Sequence, residues 1–190
     1  NTNFPDANFR TVVENFDTNK DSSLSDTEIA AVKAINCFNE GISDLTGISY
    51  FTALEKLNCI KNQLTKLDVS KNTALTILDC DNNQLTALDV SKNTSLRELV
   101  CAKNRLTTLD VSKNTALRVL FCDGNQLTSL DLKKVIDLLF CDGNSYEIAV
   151  GADRTFDLST WPGNFNVTKA SDWSGGTVSG NTLTVDSDKD

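Results

Sequence analysis

The feature that most constrains this chain is a period. Leu54, Leu75, Leu96 and Leu117 stand 21 residues apart. The segments that begin at the first three, LEKLNCIKNQLTKLDVSKNTA, LTILDCDNNQLTALDVSKNTS and LRELVCAKNRLTTLDVSKNTA, agree at most positions. A fourth unit, LRVLFCDGNQLTSLDL, starts alike and then shortens, and its FCDGN at 121–125 returns at 140–144. A unit of this size cannot bury its apolar face alone, so repetition implies coils stacked on one another around a shared core. Each unit holds one half-motif twice: Leu54, Leu57, Cys59 and Asn62, then Leu64, Leu67, Val69 and Asn72. The L-x-C or L-x-V alternation predicts a short strand with apolar side chains on one face. The asparagine after it tolerates the left-handed backbone of a turn. Two half-motifs per coil predict two narrow parallel sheets closing around one apolar column.

The columns that such stacking creates can be read directly. Cys59, Cys80, Cys101 and Cys122 share one repeat position, with Cys37 and Cys141 as its end members. The second half-motif gives the equivalent position to Val69, Val90 and Val111. Parallel neighbours ~4.7–4.9 Å apart hold inward Cβ atoms farther apart than the ~3.8 Å a disulfide prefers. No histidine or carboxylate alternates with the sulfurs, so buried thiols acting as small hydrophobes are expected rather than a disulfide or metal ladder. Asn62, Asn83, Asn104, Asn125 and Asn144 form a second column, expected to pair with backbone groups because buried amides must be satisfied. Asp68, Asp89, Asp110 and Asp131 run beside Lys71, Lys92, Lys113 and Lys134 as a solvated, charge-balanced face.

If the fixed positions build the rod, selectivity lies in the outward positions between them. Their polarity falls along the chain, from Glu55, Lys56 and Asn58 to Asp137, Leu138 and Phe140. Val100, Val119, Phe121, Leu138 and Phe140 would form one apolar patch, rimmed by Arg97, Arg118, Asp123 and Asp142. A contiguous exposed patch of that kind marks an interface. The competing expectation is that the segment carrying Trp161 and Trp173 covers it from within the same chain.

Residues 17–28, DTNKDSSLSDTE, follow the spacing of a calcium-binding EF-hand loop. Asp17, Asn19, Asp21, Ser23, Ser25 and Glu28 fall at positions 1, 3, 5, 7, 9 and 12, where oxygen ligands are closed by a bidentate glutamate. Phe9, Val12, Val13 and Phe16 lead in as a helical stripe, and Ile29 and Val32 follow as the start of an exit helix. The loop departs from the pattern at position 6, where Ser22 replaces glycine, and only one such motif is present. Two readings stay open: one bound calcium ion with Asp17, Asn19, Asp21, Ser23 and Glu28 as ligands, or a helical cap that keeps the shape without the ion. Either would shield the open end of the stack.

Together these residues resemble a family. Residues 37–144 are similar to leucine-rich repeats of the bacterial 21-residue type, and the lead-in resembles the cap of internalin-like surface proteins. The resemblance implies a leucine-rich-repeat solenoid, mostly parallel β with short turns. It implies an EF-hand-like helical cap over 1–36, the solenoid over 37–144 and a small β-rich cap or partial module over 145–190, where a hairpin is expected near Gly180-Asn181. It further implies a secreted or cell-surface bacterial binding scaffold, acting as a monomer on a protein or glycan partner. The alternative is an architectural spacer presenting another domain. Composition agrees with a binding role. There is no histidine, the commonest general base, and no catalytic constellation, so no enzyme activity is expected. A net charge of −8 disfavours nucleic acid. No apolar run approaches the ~18 residues of a membrane span. With no methionine at position 1, the chain reads as a processed product.

Overall fold

The computed structural model describes residues 3–128, 130, 138–141, 143–144, 155–157, 176–179 and 182–185. Two helices come first, α1 (Ala7–Glu14) and α2 (Asp26–Ala31). Six three-residue strands follow: β1 (Ala34–Asn36), β2 (Lys56–Asn58), β3 (Ile77–Asp79), β4 (Glu98–Val100), β5 (Val119–Phe121) and β6 (Leu138–Phe140). They form one parallel sheet in sequence order, with Leu57, Leu78, Leu99, Leu120 and Leu139 in mutual register. The sheet thus begins at Ala34, directly after the helical cap.

Each strand is short because the repeat ends it. The second residue after each cysteine takes a left-handed conformation: Lys61, Asn82 and Lys103 at φ 54°, 56° and 48°, then Gly124 and Gly143 at 61° and 64°. The asparagine that follows is buried and joins coils. Asn83 Nδ2 donates to the carbonyls of Cys59 and Cys80, at 2.9 and 3.1 Å, while its Oδ1 accepts the Leu64 N–H at 3.0 Å. Asn62, Asn104, Asn125 and Asn144 repeat the pattern. The backbone groups that the turn leaves over are therefore satisfied by the next coil.

The expected second sheet does not form. Among the described residues the second half-motif contains no strand. Its aspartates turn the chain instead: the Oδ1 atoms of Asp68, Asp89 and Asp110 accept the N–H groups of Ser70, Ser91 and Ser112 at 2.8–2.9 Å. Such a side-chain bond competes with a strand ladder for the same donor. The apolar side chains of this half still point inward. Leu64, Leu67 and Val69, with their equivalents, join the leucines and cysteines of the first half in one core column. A second asparagine rank, Asn72, Asn93 and Asn114, is fully buried there, and each Nδ2 donates to two carbonyls of the preceding coil.

The helices close the first coil. Phe9 and Val13 of α1 are buried in the core, and Val12, Phe16, Leu24 and Ile29 pack against it half-buried. Val32, expected inside the exit helix, instead ends it in an extended conformation. Asp6 holds α1 to the solenoid: its carboxylate caps the helix at the N–H groups of Asn8 and Phe9 and also accepts from Ser43 N, Ser43 Oγ and Asp44 N. Gly47, at φ 102°, lets the chain's start cross the first coil, because a Cβ there would lie 2.4 Å from Asn3 O. Three further strands, β7 (Thr155–Asp157), β8 (Gly176–Ser179) and β9 (Thr182–Val185), make an antiparallel sheet in which β8 and β9 flank the predicted Gly180-Asn181 turn. Trp161, Trp173 and Asp142 lie outside the described residues.

Candidate functional site

The register of the parallel sheet lines its residues up in two columns beside the central leucines. Lys56, Ile77, Glu98, Val119 and Leu138 share one register, and Asn36, Asn58, Asp79, Val100, Phe121 and Phe140 share the other. The backbone register places Val100, Phe121 and Phe140 at successive positions of one row and Val119 and Leu138 at successive positions of the other. Val100, Val119 and Phe121 are half-buried. Arg97 and Arg118, each directly before its strand, are exposed on the same flank and joined by the Arg118 N–H to Arg97 carbonyl bond of 2.8 Å.

The other half of the sheet is polar, and its electrostatics were not legible in the repeat. Asp79 is half-buried, and burial above all raises its carboxyl to about 6; the Asp81 N–H opposes this, while the neighbouring Asp81 and Glu98 charges add to it. Burial likewise raises Asp81, whose Oδ1 is enclosed without a hydrogen-bond donor. Lys103 opposes that shift and Asp123 reinforces it. Farther toward the N-terminus, Phe38 is 45% exposed, with the Lys61 ammonium 5.4 Å from its ring centroid. The signal for Phe38 was present: it occupies the position after Cys37 that Ile60 and Ala102 fill after their cysteines, where only Phe38 is exposed.

The cysteine column carries no disulfide; Cys37, Cys59, Cys80, Cys101 and Cys122 are buried and Cys141 is half-buried. Desolvation pushes Cys37 and Cys122 up to about 12 and also raises Cys59, Cys80 and Cys101 well above the ordinary thiol range. These groups stay protonated at neutral pH and lack the thiolate that nucleophilic or metal chemistry needs. The Cys37 thiol donates instead to the Asn58 carbonyl at 3.3 Å.

In the 17–28 loop, Lys20 and Ser22 take left-handed conformations, φ 59° and 70°, so Ser22 adopts the turn that the pattern assigns to glycine. The proposed ligand oxygens are directed at the loop itself. Asp17 accepts from the N–H groups of Asp21 and Ser22, Asn19 Oδ1 from Asp21 N, and Asp21 Oδ1 from Ser23 N and Oγ. Glu28 receives five donors. Among the described residues no three acidic, histidine or cysteine side chains converge as a metal-binding group.

A profile described as leucine-rich repeats (2 copies) matches residues 94–134. The coils are similar to leucine-rich repeats. Internalin J of Listeria monocytogenes serotype 4b is 39% identical over 70 residues, which is 36% of this chain and 8% of internalin J. Internalin J of serovar 1/2a is 40% identical over the same length. The chain thus spans less than a tenth of these curated relatives. The solved functional domain of InlJ, described as including a cysteine ladder, superposes with a TM-score of 0.73 at 39% identity, covering 78% of this chain and 34% of that one. The internalin inlF shares the fold at 24% identity, with a TM-score of 0.60 over 68% of this chain and 40% of its own. The chain is therefore similar to Listeria internalins in part of its sequence and in its parallel solenoid. No helix among the described residues is long and apolar enough to cross a membrane.

Proposed function

We propose that this leucine-rich-repeat chain is a non-catalytic docking scaffold of a secreted or surface-displayed bacterial protein, and that it grips a protein partner through the outward face of its parallel sheet. The observation that carries the reading is the register. It sets Val100 beside Phe121, Phe121 beside Phe140, and Val119 beside Leu138, with Arg97 and Arg118 along one flank of the sheet. Aromatic and arginine side chains around an apolar centre are the groups that carry most binding energy at protein interfaces. The similarity to internalins supports a protein partner and a location outside the cell.

The test is a screen of the immobilised chain against purified extracellular proteins and glycans, repeated with Phe121→Asp plus Phe140→Asp. Circular dichroism checks that the variant folds. A protein hit lost by at least tenfold in the folded variant is the expected result; undiminished binding by that variant overturns the assignment of the face. A glycan hit with no protein hit overturns the choice of partner.

A further inference from the structure

The 17–28 loop has the turns of a cation-binding loop, yet its closing glutamate is already engaged. Glu28 is 9% exposed. Its Oε1 accepts from Thr18 N at 2.7 Å, Thr18 Oγ1 at 2.7 Å and Asn19 N at 3.3 Å. Its Oε2 accepts from Ser25 N at 3.0 Å and Ser25 Oγ at 2.8 Å. The Ser25 hydroxyl in turn accepts the Glu28 N–H at 3.3 Å, which completes a capping box at the start of α2. We propose that the Glu28 carboxylate replaces a divalent cation as the centre of this loop, so that the N-terminal cap is latched by hydrogen bonds and stands independently of calcium.

Three further observations agree. First, the bonds run between the two ends of the loop. Thr18 and Asn19 lie just beyond α1, while Ser25 and Glu28 begin α2, so one side chain sets the approach of both helices whose apolar residues seal the first coil. Second, the left-handed turn at Ser22, strained for a residue with a Cβ, is held by the Ser22 N–H to Asp17 Oδ2 bond of 2.8 Å. That bond occupies the oxygen that would open a cation's coordination sphere. Third, Asp21 is spent on Ser23 and on the Asn19 amide, at 2.8–3.0 Å. A cation recruiting Glu28 in bidentate fashion would have to turn both Oε atoms away from Thr18, Asn19 and Ser25 and leave their donors unpaired.

The experiment is thermal melting of the whole chain in millimolar calcium and in excess chelator, with calcium titrated into the native protein by calorimetry. Coincident melting curves and no saturable heat are expected for the wild type. Glu28→Gln, which keeps the shape and removes the charge, is expected to lower the Tm by roughly 5 °C, equally with and without calcium. If that variant fails to fold, Thr18→Val removes one hydroxyl donor and is expected to give a smaller, again calcium-independent, loss. A higher wild-type Tm in calcium, or one saturable calcium site per chain, overturns the proposal. So does a Glu28→Gln variant that melts like the wild type.

Discussion

Asp79 and the cysteine that follows it share a coil but meet opposite demands. Cys80 points inward, where a thiol behaves as a small hydrophobe, whereas Asp79 points outward yet sits half-buried with the Glu98 and Asp81 charges near it. Its carboxyl titrates near 6, above the ordinary 3.8, so the folded chain binds the proton more tightly than the unfolded chain. The stabilisation is thus complete below pH 4 and is lost as pH rises through 6. The chain is expected to gain stability toward urea between pH 7 and pH 5, and Asp79→Asn should flatten that rise while stabilising the protein at pH 7. A variant with the wild-type pH dependence would show that other groups govern it. Glu28 behaves oppositely. The Ser25 backbone N–H, then the Thr18 and Ser25 hydroxyls, hold it down to about 2, so its contribution persists above pH 4.5 and disappears only toward pH 2. The repeat places Asp79 and the loop spacing places Glu28, but neither pattern reveals the shift, because Asp79 depends on its burial in the stack and Glu28 on the donors that Ser25 and Thr18 turn toward it.

At the scale of the element, α1 shows how a short helix is retained. Eight residues are too few for a stable isolated helix, so tertiary bonds decide whether it forms. Asp6 supplies them from one carboxylate. Desolvation would raise its pKa, but hydrogen bonds from Ser43, Phe9 and Asp44 outweigh this and lower it. Asp6→Ala removes the cap of the helix and its tether to the first coil together. The expected cost is about 1–2 kcal/mol, and limited proteolysis should show earlier cleavage within 7–31 while the solenoid survives. Simultaneous cleavage throughout the chain would instead mean that cap and coils unfold as one. The stripe Phe9, Val12, Val13 and Phe16 announced this helix, but the Asp6 tether was hidden because Ser43 and Asp44 belong to the most degenerate repeat. The same limit applies to the strands. The first half-motif was readable as β because L-x-C alternation met no rival, whereas the aspartates of the second half-motif captured the serine N–H groups that a second sheet required.

Across the described coils, the core is one column in which each coil touches the next through the same three kinds of contact: leucine on leucine, thiol beside thiol, and asparagine on carbonyl. This much was legible from the period alone, because fixed spacing on a stacked unit allows few other arrangements. The five buried thiols, Cys37, Cys59, Cys80, Cys101 and Cys122, report on that stacking. Buried and raised in pKa, they should resist an aromatic disulfide reagent at pH 8 in native buffer and become labelled along the urea unfolding curve. Rapid labelling of all five under native conditions would be incompatible with the closed column.

The nearest-neighbour bonding of the asparagine rungs also determines how the chain answers force. Tension applied along the rod from its two ends loads the rungs in series, so a coil at an end can peel away while those beyond it keep all their partners. Each 21-residue turn released pays out roughly 70 Å of slack. A tether built this way yields in small steps under shear rather than snapping at one threshold.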